Sequence, residues 1–242
     1  MKRTKKAKIA IADERSKPCA ARPLAFARDG AQRFDGAAAI VLEQIAAVLA
    51  CAPTGRAGVR IFGVEALRRF LEPEGVIGAV AVGALGPSCR AVRAILFDKT
   101  AATNWSLGWH QDRTIAVAAR VDVEGFGPWT IKDGVHHVAP PFDCLSKMVT
   151  LRVHLDDVPA THAPLLVAPG SHRLGRVPVD RIENAVRTCG IYACLAQAGD
   201  IWLYATPILH ASEATVLPTS RRVLQIDYAA YALPGGLEWL GV

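Results

Sequence analysis

Residues 148–155 read MVTLRVHL, and apolar side chains alternate with polar ones along the whole stretch. Successive side chains of a β-strand point to opposite faces, so the two kinds separate onto two faces. The apolar face carries Val149, Leu151, Val153 and Leu155, and the polar face carries Thr150, Arg152 and His154. The stretch therefore predicts a strand that packs on one side and faces a polar interior on the other.

A second stretch, residues 221–228, divides in the same way. Arg222, Leu224, Ile226 and Tyr228 share one face, and Arg221, Val223, Gln225 and Asp227 share the other. Further strand-like runs lie at 90–97, 114–120 and 201–204, so the second half of the chain is predicted to be mainly β. Strands with polar inner faces favour a small barrel or sandwich that holds a ligand at its mouth.

The first half is predicted to be helical, because apolar residues recur at helical spacing over 37–49 and 64–71 and an apolar run follows at 76–85. We expect a mainly β fold with flanking helices, forming one domain over 36–242. In it, residues 36–86 support a β core at 88–230. Residues 1–35 are predicted to be a basic flexible arm and a covering segment. Residues 121–145, with many Gly, Pro, Trp and His, are predicted to be a lid loop.

Composition and charge exclude several classes of protein. Of 242 residues, 51% are hydrophobic and 21% charged, which is typical of a folded chain. Five basic residues within the first eight account for most of the net charge of +6, so nothing beyond this tail indicates nucleic-acid binding. No stretch is long and apolar enough to span a membrane, and the basic start lacks the features of a secretory signal. We expect a cytoplasmic protein whose six cysteines are reduced.

A metal site is indicated by three residues. His110 and Asp112 are two positions apart, so on an extended segment their side chains project to the same side. His210 follows the predicted strand at 201–204. Two histidines and one carboxylate form the facial triad of non-haem Fe(II) oxygenases, which leaves three coordination positions open.

An arginine near this triad could bind a cosubstrate. A 2-oxo acid fills two open metal positions, and its distant carboxylate then needs a cationic partner, for which arginine is best suited. Arg221 lies eleven residues past His210 and on the polar face of its strand, whereas Arg222 lies on the apolar face. The pattern selects Arg221, although a strand register shifted by one residue would exchange the two.

Four short motifs in this order resemble the phytanoyl-CoA dioxygenase family of Fe(II)/2-oxoglutarate oxygenases. They are WHQD at 109–112, PGSH at 169–172, GDIW at 199–202, and HAS at 210–212 with an arginine eleven residues past its histidine. The resemblance covers roughly residues 88–230, with 100 residues between the two histidines. It implies a double-stranded β-helix, a jelly roll of two sheets flanked by helices.

The resemblance also implies a role for individual residues. His110, Asp112 and His210 correspond to the iron ligands, Arg221 to the clamp on the distal carboxylate of 2-oxoglutarate, and Ser212 to a hydroxyl donor to that carboxylate. Further contacts to cosubstrate or substrate are expected from Gln111, Asn104 and Trp105. Arg152 and Thr150 face inward and are expected either to line the pocket or to fill the barrel.

The implied activity is hydroxylation of a small-molecule substrate by O2, with 2-oxoglutarate converted to succinate and CO2. The carboxylate of Asp112 favours hydroxylation over halogenation, because a halogenase leaves that coordination position to the halide. Two alternatives remain: a mononuclear zinc hydrolase on the same three ligands, and a non-catalytic barrel that binds a small ligand.

The other histidines are not needed for iron. His162 and His172 lie near the PGSH turn, where an Asn-Gly common in the family is replaced by residues 161–165, and could touch substrate. For His136, His137 and His154 a structural or solvated role is expected.

Overall fold

The structure is a computed structural model that describes residues 22–53, 55–215 and 221–242. The basic tail, and with it most of the predicted flexible arm, lies outside the described residues. The boundary between the arm and the domain is therefore described only from Arg22 onward.

Helices cover the outside of the largest sheet, as the sequence predicts. The helices are α1 (Phe26–Asp29), α2 (Leu42–Leu49), α3 (Glu65–Leu71), α4 (Gly78–Leu85), α5 (Phe142–Ser146) and α6 (Ile182–Cys189). The three predicted helices are thus α2, α3 and α4, and a 3-10 turn at Ala39–Val41 precedes α2. Within the described residues, none of these helices has the length and apolar character that crossing a membrane requires.

The strands form three antiparallel sheets. The strands are β1 (Ala31–Phe34), β2 (Gly58–Ile61), β3 (Arg90–Lys99), β4 (Leu107–His110), β5 (Ile115–Val117), β6 (Trp129–Lys132), β7 (Val135–Val138), β8 (Met148–His154), β9 (Leu165–Val167), β10 (Tyr192–Cys194), β11 (Ile201–Ala205), β12 (His210–Ser212) and β13 (Arg221–Ala229). The orders are β1-β11-β8-β13-β3-β2, β10-β9-β12-β4 and β5-β7-β6.

The two larger sheets form a double-stranded β-helix. Strands β11, β8, β13 and β3 make one wall, and β10, β9, β12 and β4 make the other. Consecutive strands of the jelly roll alternate between these walls, for example from β3 to β4 and from β12 to β13. The fold is therefore a mainly β jelly roll with flanking helices, as the sequence predicts.

The division of β8 and β13 into two faces is confirmed. Leu151 and Ile226, on their apolar faces, pack with Leu67 and Ile77 in the main hydrophobic core between sheet and helices. Tyr228 closes this layer by donating a hydrogen bond of 3.0 Å to the carbonyl of Leu71 in α3. The polar faces point to the inside of the β-helix, so the apolar packing that stabilises the fold leaves the interior free for polar groups.

The predicted lid loop at 121–145 is wrong as a description of the backbone. It contains β6, β7 and the start of α5, and β7 also pairs with β5. The turn is Asp133-Gly134, with φ of 50° and 78°, and Asp-Gly is a common two-residue hairpin turn because both positions need positive φ. Val138 and Leu145 bury their side chains in a second core with Ile115. The segment is a packed hairpin rather than an irregular loop.

Two short edge strands lie in regions where no strand is predicted. β1, inside the predicted arm and covering segment, pairs with β11 from Ala31 opposite Tyr204 to Phe34 opposite Ile201. β2, inside the predicted helical support, pairs with β3. Each is four residues long, which is too short for a period of two to stand out in the sequence.

Candidate metal centre

The predicted triad is assembled by the pairing of β4 with β12. His110 ends β4 and stands opposite His210, the first residue of β12. Their ring centroids are 4.2 Å apart, and Asp112 lies two residues past His110. One ligand atom of each of the three side chains lies within 4.8 Å of the others. A spacing of this size suits one metal ion bound between them.

Backbone hydrogen bonds orient both imidazoles. Nδ1 of His110 lies 2.8 Å from the carbonyl of Gly108, and Nδ1 of His210 lies 2.9 Å from that of Ile208. A carbonyl only accepts, so each Nδ1 carries the proton and each Nε2 keeps its lone pair for a metal. Burial lowers the pKa of His210 to about 4, so this ring is neutral at pH 7 and ready to bind a metal.

The side chains fit a divalent iron. The Oδ2 atom of Asp112 is buried and has no hydrogen-bond partner among the described residues, and Nη2 of Arg93 lies 3.8 Å away. A buried carboxylate oxygen without a partner is unfavourable unless something else binds it. Two imidazole nitrogens and one carboxylate oxygen are the donor set of non-haem Fe(II) oxygenases.

A cavity of about 350 Å³ opens next to the triad. Apolar walls come from Phe97, Trp105, Leu107 and Leu165. The charged residues among its described lining residues are mostly cations: Arg60, Arg93, Lys132, Arg152 and Arg221, against the single carboxylate of Asp112. An excess of cations in a partly enclosed space favours anionic ligands.

Arg221 lies in this cavity, and Arg222 lies outside it. Arg221 is 3% exposed, and its Nη1 donates to the carbonyls of Ala163 and, at 3.4 Å, His162. No carboxylate among the described residues pairs with it, and burial followed by the charge of Arg152 lowers its pKa. Arg222, on the other face of β13, pairs with Asp156 at 2.7 Å. The strand register is the one in which Arg221 faces inward.

Ser212 also lines the cavity, next to a lysine that sequence reasoning missed. Nζ of Lys99 donates to Oγ of Ser212 at 2.8 Å and to the carbonyl of Glu213, and it lies 4.8 Å from the ring centroid of Trp105. Lys99 is opposite Arg221 in the pairing of β3 with β13. Burial, then the charges of Arg221 and Arg152, lower its pKa to about 7. Lys99 lies two residues past the predicted strand at 90–97, and its even spacing from Arg93 would have placed it on the same face only if that strand had been predicted to be longer.

Arg152 lies on the cavity wall further along the barrel. Its Nη1 donates to Oε1 of Gln225 at 3.2 Å, and its guanidinium carbon lies 5.4 Å from the ring centroid of Phe97. Nε of Arg152 is buried without a hydrogen-bond partner. The side chain therefore lines the pocket, which was one of the two expectations, and it retains a free donor.

Gln111 and Asn104 are not brought into the cavity, against expectation. Gln111 is 3% exposed and binds three backbone groups: the carbonyls of Gly175 at 3.0 Å and Pro207 at 2.8 Å, and the amide of Val177 at 2.9 Å. Asn104 exchanges two hydrogen bonds with the backbone of Thr215, at 2.9 and 2.8 Å. Both side chains bind the backbone of loops. Each side-chain amide has a donor and an acceptor, which pair with backbone carbonyl and N–H groups.

Thr150 takes part in a polar network beneath the triad. It donates to Oδ1 of Asp227 at 3.0 Å and lies 3.0 Å from the hydroxyl of Thr206. The other oxygen of Asp227 pairs with Arg93 at 2.5 Å. Thr150 therefore fills the barrel rather than lining the cavity. The ion pair with Asp227 holds the Arg93 side chain beside Asp112.

Of the remaining histidines only His137 lines the cavity, among the residues described. His172 packs against Gly30, where an added Cβ would be 2.2 Å from its Nδ1. His154 is buried in the barrel wall, and burial lowers its pKa to about 3. His162 contributes its carbonyl to Arg221. His137 thus lies on the cavity wall, a location that the sequence did not indicate.

A double-stranded β-helix with two histidines and one carboxylate at its mouth defines a class of protein, the mononuclear non-haem metal oxygenases. The chain can be placed more narrowly by its sequence. A sequence model described as phytanoyl-CoA dioxygenase (PhyH) matches residues 70–223, which is more than half of the chain. The chain belongs to this family of Fe(II)/2-oxoglutarate-dependent oxygenases, so the resemblance carried by the four motifs is confirmed.

Solved structures share the fold at low sequence identity. EctD from S. alaskensis, in its apo form, is 17% identical with a TM-score of 0.61, over 94% of this chain and 84% of that one. HygX from Streptomyces hygroscopicus, with nickel and 2-oxoglutarate bound, is 15% identical with a TM-score of 0.57, over 84% of each chain.

A third similar structure has a different reaction in its name. SnoN from nogalamycin biosynthesis, a non-haem alpha-ketoglutarate-dependent epimerase, is 19% identical with a TM-score of 0.55, over 84% of this chain and 77% of that one. No curated protein sequence gives a significant match to the chain.

Proposed function

We propose that the protein hydroxylates a small-molecule substrate, using Fe(II), O2 and 2-oxoglutarate and releasing succinate and CO2. One observation carries the proposal: the metal triad faces a cavity in which Arg221, a buried arginine with no carboxylate partner among the described residues, lies beside Ser212 and Lys99. The family of the chain supports the cofactors, and HygX was crystallised with 2-oxoglutarate bound.

The triad would hold the iron. His110 and His210 present Nε2, and Asp112 presents the oxygen that lacks a hydrogen bond. Bound iron and 2-oxoglutarate supply the oxidising power, with one oxygen atom of O2 entering succinate and the other entering the substrate. Asp112 occupies the coordination position that a halogenase leaves free, which favours hydroxylation over halogenation.

Arg221, Ser212 and Lys99 would hold the distal carboxylate of 2-oxoglutarate. A guanidinium binds a carboxylate through two parallel hydrogen bonds, and the Lys99–Ser212 pair offers an ammonium and a hydroxyl beside it. The free Nε of Arg152 adds a donor on the same wall. The carbonyls of Ala163 and His162 hold the Arg221 side chain in place before the anion arrives.

Apolar side chains would shield the reacting groups from water. Phe97, Trp105, Leu107 and Leu165 line the cavity around its cations, and the ring of Trp105 covers the ammonium of Lys99. Charged hydrogen bonds are stronger where water is excluded, so these walls strengthen the carboxylate clamp.

A zinc hydrolase on the same ligands is the second candidate. It needs the triad and a bound water, but it gives no role to Arg221, Lys99 or Ser212. A non-catalytic barrel likewise gives no role to a buried carboxylate oxygen that has no hydrogen bond within the described residues and lies beside two oriented imidazoles. The oxygenase accounts for all of these side chains together.

The proposal is tested by anaerobic titration of the metal-free protein with Fe(II) and then with 2-oxoglutarate. We expect the weak visible charge-transfer band of a chelated 2-oxo acid in the wild type and none in the His110→Ala variant. Binding of Zn(II) with no band for iron and 2-oxoglutarate would contradict the proposal and favour the hydrolase. Incorporation of labelled O2 into a product separates hydroxylation from outcomes such as epimerisation.

We place the protein in the cytoplasm. The five cysteines among the described residues, Cys51, Cys89, Cys144, Cys189 and Cys194, are free thiols, which supports a reducing compartment. Fractionation of the native host would test this placement.

A further inference from the structure

One part of the cavity has no role in binding metal or cosubstrate. Its residues are Arg60 on β2, Lys132 at the end of β6, and His137 on β7. They come from an edge strand and from the hairpin, whereas the metal and cosubstrate residues come from the two walls of the jelly roll. This part of the cavity is where a primary substrate can reach the triad.

His137 is a buried hydrogen-bond acceptor without a partner. It is 1% exposed, its Nδ1 lies 3.0 Å from the carbonyl of Val135, and its Nε2 is buried with no hydrogen-bond partner. The carbonyl fixes the proton on Nδ1, as it does in His110 and His210, so Nε2 carries a lone pair. His137 is not part of the triad, and its acceptor is therefore free for a donor of the substrate.

His137 lines the same cavity as the triad, and the charge of the Arg93 guanidinium acts on its ring. That guanidinium is 3.8 Å from Oδ2 of Asp112. Burial lowers the pKa of His137 to about 4, with further lowering by the charges of Arg93, Arg60 and Lys132. The imidazole is therefore neutral at pH 7. An anion near it would be bound by the neighbouring cations and not by His137.

The rim beside His137 carries more positive than negative charge. Asp133, in the hairpin turn, pairs with Arg60 and lies 3.8 Å from Arg56. Two arginines thus share one carboxylate, and Lys132 adds a further positive charge to the cavity lining. The Nε atom of Arg60 is buried and has no hydrogen-bond partner. A guanidinium with a free donor beside an ammonium fits a carboxylate.

We infer that the primary substrate is a small carboxylic acid, with its carboxylate between Arg60 and Lys132 and with a hydroxyl or N–H group that donates to Nε2 of His137. This inference rests on the proposed function, because it assigns the other anion site to 2-oxoglutarate. It gives the β6–β7 hairpin a role in selecting the substrate.

The test uses the full chain loaded anaerobically with Fe(II) and 2-oxoglutarate, after binding of 2-oxoglutarate has itself been measured. A library of acidic, neutral and cationic metabolites of similar size is screened by thermal shift, and hits are titrated calorimetrically. We expect carboxylic acids to predominate among the hits and their methyl esters to bind at least about tenfold more weakly.

Variants locate the contacts. R60Q and H137F are expected to weaken acid binding about tenfold or more while 2-oxoglutarate affinity stays at the wild-type value. H137Q, which can place an amide oxygen near the position of Nε2, should recover part of the loss. R187Q on exposed α6 and H136F, from the same strand as His137 but outside the cavity, serve as matched controls.

Four results would overturn the inference. They are a predominance of neutral or cationic hits, no acid that binds, acids that bind R60Q and H137F as well as the wild type, and failure of the wild type to bind 2-oxoglutarate. The last also refutes the proposed function. The first two, obtained with 2-oxoglutarate bound, refute the substrate class, and the third refutes the contacts to Arg60 and His137; all three leave the proposed function standing.

Discussion

Arg221 and Arg222 are adjacent arginines that the fold sends to opposite sides of one strand. Arg221 reaches the cavity, and Arg222 pairs with Asp156 at the surface. We predict that Arg221→Ala weakens 2-oxoglutarate binding by about 10- to 100-fold, since a charged hydrogen bond contributes about 1.5–3 kcal/mol. Arg222→Ala should leave it unchanged, as measured by anaerobic calorimetry.

A shorter ligand isolates the distal carboxylate. 2-Oxobutyrate keeps the metal-chelating atoms but lacks the second carboxylate, so its affinity should be the same in the wild type and in Arg221→Ala. If the variant loses affinity for both ligands equally, Arg221 supports the metal site or the fold rather than the clamp.

We predict that Lys99 makes cosubstrate binding sensitive to pH. Burial, then the charges of Arg221 and Arg152, lower its pKa to about 7, so the amine is largely neutral above that pH. A bound carboxylate favours the charged form, so binding above pH 7 takes up a proton. We predict that 2-oxoglutarate affinity falls as the pH rises from 7 to 9, by up to about tenfold per pH unit.

The Lys99→Met variant tests this assignment. It should bind 2-oxoglutarate more weakly than the wild type at pH 7, and its affinity should depend less on pH. Calorimetry in buffers of different ionisation enthalpy would count the protons taken up. A variant with the same slope as the wild type would assign the titration to another group.

The metal ligands could be predicted from sequence, whereas several of their neighbours could not. His110 and Asp112 are two positions apart in the chain, and an extended backbone gives their side chains a common direction. The clamp residue Lys99 depends on pairing between β3 and β13, which brings residues 99 and 221 together. Gln111 was assigned to the site by its place between two ligands, but its amide bonds to loops at residues 175, 177 and 207.

At the scale of elements, the pairing of β3 with β13 buries an ion pair. Arg93 and Asp227 are 8% and 2% exposed and are hydrogen bonded at 2.5 Å. Asp227→Asn removes the hydrogen-bonded partner of Arg93 and leaves only Asp112, 3.8 Å away, among the described carboxylates to offset the buried charge. We predict that this variant lowers the free energy of unfolding by about 3 kcal/mol. Urea denaturation of the metal-free protein would measure it.

Two further variants test whether the stability lost in Asp227→Asn comes from the unpaired buried charge or from the loss of any side-chain contact on the strand. Arg222→Ala on the same strand removes a pair in which the arginine side chain is 42% exposed, and should cost at most about 1 kcal/mol. The double variant Arg93→Met, Asp227→Leu should be more stable than Asp227→Asn, because neither charge remains. A double variant as unstable as the single one would show that the loss comes from packing.

Long strands and helices could be predicted from their periods, and short strands could not. β3, β8 and β13 are ten, seven and nine residues long and show their two faces in the sequence. β1, β2, β9 and β10 have three or four residues, and they exist because longer neighbours supply hydrogen-bond partners. The β6–β7 hairpin was expected to be a loop, although Asp133-Gly134 marks a hairpin turn in the sequence and could have predicted it.

The molecule as a whole separates an apolar layer from a polar interior. The helices and the outer face of the large sheet form the main hydrophobic core, with Leu67 and Leu151 fully buried. The inside of the jelly roll holds Lys99, Arg152 and Arg221 without a carboxylate of their own among the described residues. These cations repel one another in the free protein, and a bound anion offsets that repulsion. Binding of the cosubstrate should therefore stabilise the fold.

Two buried histidines couple this interior to stability in acid. Burial lowers the pKa of His137 to about 4 and of His154 to about 3, from an ordinary value of 6.5. Above pH 6.5 both are neutral whether the chain is folded or not, and they add no pH dependence. As the pH falls below 6.5, these histidines bind protons in the unfolded chain but not in the folded chain. Stability is therefore lost down to about pH 4 through His137 and down to about pH 3 through His154.

His154→Leu isolates one of these groups. Neither ring nitrogen of His154 has a hydrogen-bond partner, so leucine removes no hydrogen bond and keeps an apolar side chain between β8 and its neighbours. We predict that unfolding by urea between pH 6.5 and 5 shows a loss of stability about 1.4 kcal/mol per pH unit smaller in the variant than in the wild type. The two proteins should have similar stability at pH 7.5. Equal slopes would mean that His154 takes up its proton without unfolding, which requires the interior to open around Arg152 and Arg221.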